Sequence, residues 1–269
     1  MKRRRWLRCG AALAGVYLLP VSFGWMNPST PVDYAMNCAT FAHDPNLEAA
    51  RDGRQRLVVL QHGLWRSAGS LWKLERALRD HGYEVLNVSY PSTAATIEVH
   101  AQRLHDTLEA ALAGRDLARL ELSFVGHSMG GLVIRQYLQQ QGARPAACVV
   151  FLGTPQHGAS LCDLRREWWL FQLFMGDQAA VQLSPSHPFW QQLRPPSCPF
   201  GLVIGGVGTA DGRHGQIPGD DDGTVGVAEA RLPGATDEIV LPLQHTFLSF
   251  RDAAITQVLA FLRARRFRK

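Results

Sequence analysis

From Leu57 onward, short apolar runs alternate with segments of helical periodicity. Few architectures accommodate that alternation. Residues 57–61, 83–90, 120–125, 148–152, 202–204 and 239–243 read as strands, and Pro91 stops the second. Residues 70–81, 97–113, 129–141 and 252–266 read as helices. In the first, Leu71, Leu74 and Leu78 recur at helical spacing, and in the second Leu104, Leu108 and Leu112 do so. Gly82, Gly114 and Gly142 close the first three helices, at the position where a left-handed residue ends a helix. Strand followed by helix, repeated, predicts a parallel sheet with helices on both faces. Such sheets bind ligands at the carboxyl ends of their strands. Residues that carry chemistry are therefore expected directly after strands.

Gly126-His127-Ser128-Met129-Gly130 meets that expectation and fits G-x-S-x-G. In a chain with 25 glycines the pattern alone carries little, and a glycine-rich turn that merely packs is the bland alternative. Its setting carries the weight, because a strand ends where it begins and a helix starts where it ends. So tight a turn predicts positive φ at Ser128, a strained state for a residue with a Cβ. Gly126 and Gly130 are expected because strand and helix pass too close for side chains. The serine hydroxyl would then stand over a helix N-terminus, with the Met129 N–H facing a developing oxyanion.

The run GHSMGG at 126–131 resembles bacterial lipases and esterases of the α/β-hydrolase superfamily, and the likeness extends from about Leu57 to the C-terminus. The resemblance implies the α/β-hydrolase fold: a mostly parallel central sheet, helices on both faces and a helical cap insertion. His62-Gly63-Leu64 matches the family's His-Gly pair after an early strand. That match implies the Leu64 N–H as second oxyanion donor and a structural role for the His62 side chain. The stretch 151–158, FLGTPQHG, resembles the family's G-T-P-x-x-G turn and reads as scaffold beside the site. The family order is nucleophile, acid, histidine. Beyond residue 214 only His245 is a histidine, and it follows the last strand. Asp222-Gly223-Thr224-Val225 resembles the family's D-G-x-V. There Asp222 would orient His245, Gly223 would allow the turn and Val225 would anchor the loop. Asp220 and Asp221 read as solvated neighbours. The triple aspartate could alternatively bind Ca²⁺, but calcium takes six to eight oxygens, which this run alone does not supply. No metal and no cofactor is expected.

Between about 156 and 198 the alternation breaks, and this insertion reads as the cap. It carries Trp168, Trp169, Phe171, Phe174, Phe189 and Trp190. These aromatics either pack the cap onto the body or form a groove for acyl chains. Burying such a chain yields about 0.8 kcal/mol per methylene.

Charge is placed unevenly. Of the 28 Lys and Arg residues, five lie at 2–8 and five at 263–269, so the chain between holds fewer bases than its 23 acids. A nucleic-acid binder needs a basic working face, and no nucleic-acid partner is expected. Residues 1–30 read as a signal peptide or membrane anchor: a basic stretch precedes an apolar run from Cys9 to Met26. Arg3 and Arg4 loosely resemble a twin-arginine export signal. No small-x-small cleavage site follows the run, which favours an anchor. Either reading places the catalytic domain, 56–269, on the non-cytoplasmic side, exported or anchored in the inner membrane, with 31–55 as a linker. The terminal bases Arg263, Arg265, Arg266, Arg268 and Lys269 either complement the helix end or meet anionic lipid. Cys148 reads as core, and Cys38, Cys162 and Cys198 as residues able to pair in an oxidising compartment.

The expected activity is serine hydrolysis of carboxylic esters, lipid or otherwise lipophilic, through Ser128, Asp222 and His245. An acyltransferase or thioesterase could use the same residues. A membrane-tethered binding protein with an inert triad is the reading from another class. Oligomeric state is left open.

Overall fold

In the computed structural model, which describes residues 41–50, 52–165 and 179–269, six strands form one sheet. They are β1 (Gln55–Gln61), β2 (Glu84–Val88), β3 (Leu120–His127), β4 (Cys148–Leu152), β5 (Phe200–Gly205) and β6 (Asp237–Leu241). All neighbouring pairs are parallel, in the order β2-β1-β3-β4-β5-β6. Side chains alternate across each strand. Leu57, Val59, Leu122 and Phe124 therefore enter one core, while Val58, Leu60 and Val125 enter the other. Helices α2 (Ile97–Leu112) and α3 (Met129–Leu138) cover the first face. Helices α1 (Trp72–Asp80) and α8 (Asp252–Ala264) cover the second. Buried on both faces, β4 is continuous in apolar residues and β1 carries the apolar run 57–60, as parallel strands do, while β3 admits Glu121 and Ser123.

Boundaries moved where polar residues enter the ladder. The last strand runs over Asp237–Leu241 rather than 239–243. It lies at the sheet edge, where Asp237 and Glu238 stay half-exposed or exposed, and Pro242 has no N–H to continue the pairing. The insertion contains short helices α4 (Ser160–Arg165), α5 (Ala179–Gln182) and α6 (Phe189–Gln192), with α7 (Val227–Ala230) later in the chain. Trp168, Trp169, Phe171 and Phe174 lie outside the described residues, as do 1–40. Phe189 is buried, and Trp190 packs partly buried against the first core. Among the described residues no helix is long and apolar enough to cross a membrane.

Part of the stretch read as a linker and the C-terminal tail are both docked onto the body. In the segment read as a linker, Asp44 caps a short 3-10 helix, Pro45–Leu47, whose Leu47 is buried in the second core. Ala49 N–H then donates to the His81 carbonyl (2.9 Å). A single apolar anchor in a polar stretch has no periodicity to reveal it. The C-terminal helix stops at Ala264, not 266, because Arg265 turns left-handed (φ 56°). That turn tucks Phe267 against Phe261, with ring centroids 5.1 Å apart.

Candidate active site

Strands β1 and β3 are neighbours, with Gln61 beside Gly126. The chain leaves β1 toward β2 on one side and β3 lies on the other, so the loops after β1 and β3 diverge. A crevice opens at such a switch of strand order. Ser128 stands at this point as the N-cap of α3, with φ 55° and ψ −131°. Its N–H donates to the Leu152 carbonyl (2.8 Å), and its carbonyl accepts from Gly131 N–H (3.0 Å). Both bonds hold a conformation that costs about 1–3 kcal/mol in isolation.

The glycines of the turn are required by contact. A Cβ on Gly126 would lie 2.5 Å from the Gly131 Cα. A Cβ on Gly130 would overlap the Gln61 and His62 carbonyl oxygens. One on Gly63 would come 2.8 Å from the Ser128 Cβ, so the His62-Gly63-Leu64 loop runs against the serine. Met129, the first residue of α3, belongs to the turn whose N–H groups have no intrahelical acceptor. Two backbone segments thus bracket the hydroxyl, one carrying Leu64 and the other Met129.

His245 follows β6 and begins a short 3-10 helix. Its Nε2 lies 2.9 Å from Ser128 Oγ, and its Nδ1 lies 2.8 Å from Asp222 Oδ2. The other oxygen of Asp222 accepts the N–H groups of Thr224 (3.0 Å) and Val225 (2.8 Å). Asp222 is 2% exposed and His245 9%. Hydroxyl, imidazole and carboxylate therefore form one hydrogen-bonded line running inward, assembled from the loops after β3, β5 and β6. Gly223 takes φ 94°, and Val225 is buried in the first core.

Of the neighbouring acids, Asp221 differs from the expectation of a solvated residue, while Asp220 stays partly exposed. Asp221 is wholly buried and accepts the N–H groups of Arg213 (2.8 Å), His214 (3.1 Å) and Gly223 (2.6 Å). Asp220 accepts those of Val207 (2.7 Å) and Gly208 (2.9 Å). Backbone amides of a loop need acceptors, and adjacent carboxylates supply them here, part-buried around Asp221 and exposed around Asp220. Their oxygens face N–H donors, not a shared cation position, and the described residues contain no metal-ligating cluster.

Several supporting residues surround this line; His62 was legible in the sequence, whereas His127 and Arg135 carried no signal there. His127 is buried beside His245, and its Nε2–H donates to the His245 carbonyl (3.0 Å). Burial holds its pKa well below the usual range. Its place in G-x-S-x-G hid it, since any residue fits the pattern there. His62 donates from Nδ1 to the Gly63 carbonyl (2.9 Å) and accepts at Nε2 from Tyr90 N–H (3.3 Å). The Tyr90 hydroxyl donates to the His62 carbonyl (2.8 Å). Burial lowers the His62 pKa, in keeping with a neutral ring between those partners. Gly153 and Gly205 leave room for the pair: a Cβ would lie 3.1 Å from His245 Nδ1 at the former, and 2.6 Å from Asp222 Cβ at the latter. Arg135 of α3, buried and pushed down to about 10 by desolvation, donates to the carbonyls of Gln156 (2.8 Å), Leu193 (3.1 Å) and Arg194 (3.3 Å). It ties both ends of the insertion to the helix that carries Ser128.

Comparison with known proteins agrees with this architecture. A family model described as alpha/beta hydrolase family matches residues 57–264. No curated protein matches the chain. Among solved structures, the mature form of a Bacillus licheniformis lipase superposes with a TM-score of 0.57 at 19% identity, over 84% of this chain and 95% of that one. A metagenomic carboxyl esterase superposes with a TM-score of 0.57 at 17% identity, over 74% and 66%. The phospholipase PlaB of Legionella pneumophila gives 0.53 at 13% identity, over 66% and 44%. At these identities the likeness is one of fold.

Proposed function

This chain belongs to the alpha/beta hydrolase family, and we propose that it hydrolyses carboxylic esters, lipid or otherwise lipophilic, with Ser128 as nucleophile. The observation that carries this reading is the line Ser128 Oγ–His245 Nε2–Asp222 Oδ2, at 2.9 and 2.8 Å, ending on a serine strained over a helix N-terminus. In the first step Ser128 Oγ attacks the ester carbonyl while His245 Nε2 takes its proton. Asp222 fixes the proton of His245 on Nδ1, leaving the Nε2 lone pair toward the serine, and stabilises the imidazolium that forms. The oxyanion meets the N–H groups of Leu64 and Met129. His245 then returns the proton to the leaving alcohol, and an acyl-serine remains. Water, deprotonated by the same imidazole, releases the acid.

Ser128→Ala should abolish turnover of acyl esters and covalent labelling by a fluorophosphonate, with the melting temperature near that of the parent. Labelling of the alanine variant at the parental rate would overturn the assignment. A panel of esters of increasing acyl length defines the preferred substrate. Product analysis with alcohol acceptors separates hydrolysis from acyl transfer.

A further inference from the structure

The end of the sheet opposite Ser128 carries bases that the fold does not use. The strands begin here, and the docked tail after α8 returns here. Some bases at this end neutralise acids. Arg265 pairs with Glu121 (2.9 Å), and Arg56 with Glu121 (3.3 Å) and Asp52 (2.7 Å). Arg115 pairs with Glu84 (2.8 Å), and Arg268 with Asp44 (2.7 Å). Asp116 caps its own turn through Ala118 N–H (3.0 Å). Arg54, Arg119, Arg263, Arg266 and Lys269 are exposed and form no ion pair among the described residues. The Arg119 guanidinium reaches the Gly53 turn, 3.8 Å from where a Cβ there would stand, and Arg54 is the next residue of that turn. Leu117, 38% exposed, projects from the same short turn as Arg119. The tail bases expected to act together thus divide: Arg265 and Arg268 hold the fold, while Arg263, Arg266 and Lys269 face outward.

The chain also enters the described body at this end. Phe41 lies edge-on to His81 (5.6 Å), and Asp44 holds Arg268. The sequence before it contains the apolar run from Cys9 to Met26, preceded by five bases. An apolar segment leading into a basic face with an exposed leucine suits a bilayer and serves no purpose toward a nucleic acid. We infer that Arg54, Arg119, Arg263, Arg266 and Lys269, with Leu117 among them, bind an anionic lipid surface, so that Ser128 faces away from that bilayer. One consequence rests on the proposed function: the ester reaches the site from the aqueous side, not from the membrane beneath.

The test mixes full-length protein with vesicles of phosphatidylcholine alone, or of equal parts phosphatidylcholine and phosphatidylglycerol, and reads amide hydrogen exchange. Residues 52–56, 115–121 and 262–269 should gain protection on the anionic vesicles only. Residues 62–66 and 244–249 should exchange alike on both. The variant R263Q/R266Q/K269Q, which alters no ion pair of the fold, should shift the docking equilibrium about fivefold per base. Added salt should act in the same direction. Protection at 62–66 and 244–249 instead, equal protection on both vesicles, an unaltered pattern in the variant, or no binding would each overturn the inference. So would protection by a DNA duplex without protection by vesicles. No readout uses turnover, so the lipid face and the esterase reading stand or fall separately.

Discussion

At the scale of single residues, three consecutive aspartates of the same chemistry do three jobs, set by which donors each meets. Asp222 faces an imidazole and two amides, Asp221 faces three amides, and Asp220 bridges two. The two buried carboxylates should therefore fail differently. Asp222→Asn keeps an acceptor for Thr224 and Val225 but no longer fixes the imidazole tautomer. Its kcat should fall by roughly 10⁴-fold, with the melting temperature little changed. Asp221→Asn replaces charge-assisted bonds with neutral ones and turns an amide against an N–H donor. Its main cost should be stability, about 1–3 kcal/mol by urea unfolding, with a much smaller loss of kcat. Equal kinetic damage from both would mean that Asp221 takes part in the proton transfer.

At the scale of elements, α3 and β1 approach so closely that their contact sets the distance between the two proposed oxyanion donors. Gly130 is the point of contact, and a methyl there would overlap the Gln61 and His62 carbonyls. Backbone cannot rotate away as a side chain can. Gly130→Ala should therefore push α3 from β1, with a loss of at least about 1–3 kcal/mol and of fluorophosphonate labelling. A variant that melts and labels like the parent would show that the helix can shift without cost. The element pattern itself was readable because apolar period and capping glycines agree for the first two helices, where Gly82 and Gly114 take positive φ just past the helix ends; the third ends at Leu138, short of the expected 141, and Gly142 turns the chain further on. Strand ends were less readable, since β6 keeps Asp237 and Glu238 in its ladder at the edge.

At the scale of the whole molecule, buried imidazoles make the fold acid-sensitive. Burial lowers the pKa of His62 and holds that of His127 well below the usual range, while His100 falls from 6.5 to about 4. Between those values the unfolded chain binds protons that the folded chain refuses, so stability falls as pH falls. Unfolding midpoints should be flat above about pH 6.5 and should decline toward pH 4 as these groups charge in the unfolded state. His100→Gln removes one of the three and should make the decline shallower. A decline of unchanged slope in that variant would assign the acid sensitivity to other groups.

Local information sufficed for what local chemistry imposes. The strand-turn-helix around Ser128, its positive φ and its flanking glycines follow from one tight turn. His245 after the last strand and Asp222 before a glycine were legible through the resemblance to the family's nucleophile–acid–histidine order and its D-G-x-V turn. Tertiary structure alone decided what depends on distant partners. Nothing near Asp221 in the chain announces that Arg213 and His214 will turn their amides onto it. Arg135 gives no hint that it will span both ends of an insertion. Five terminal bases of one kind divide into fold-bound and free only because Glu121 and Asp44 arrive beside two of them, from 144 and 224 positions away. Periodicity and turn chemistry are written along the chain. The partner that satisfies a buried charge is chosen by packing in three dimensions.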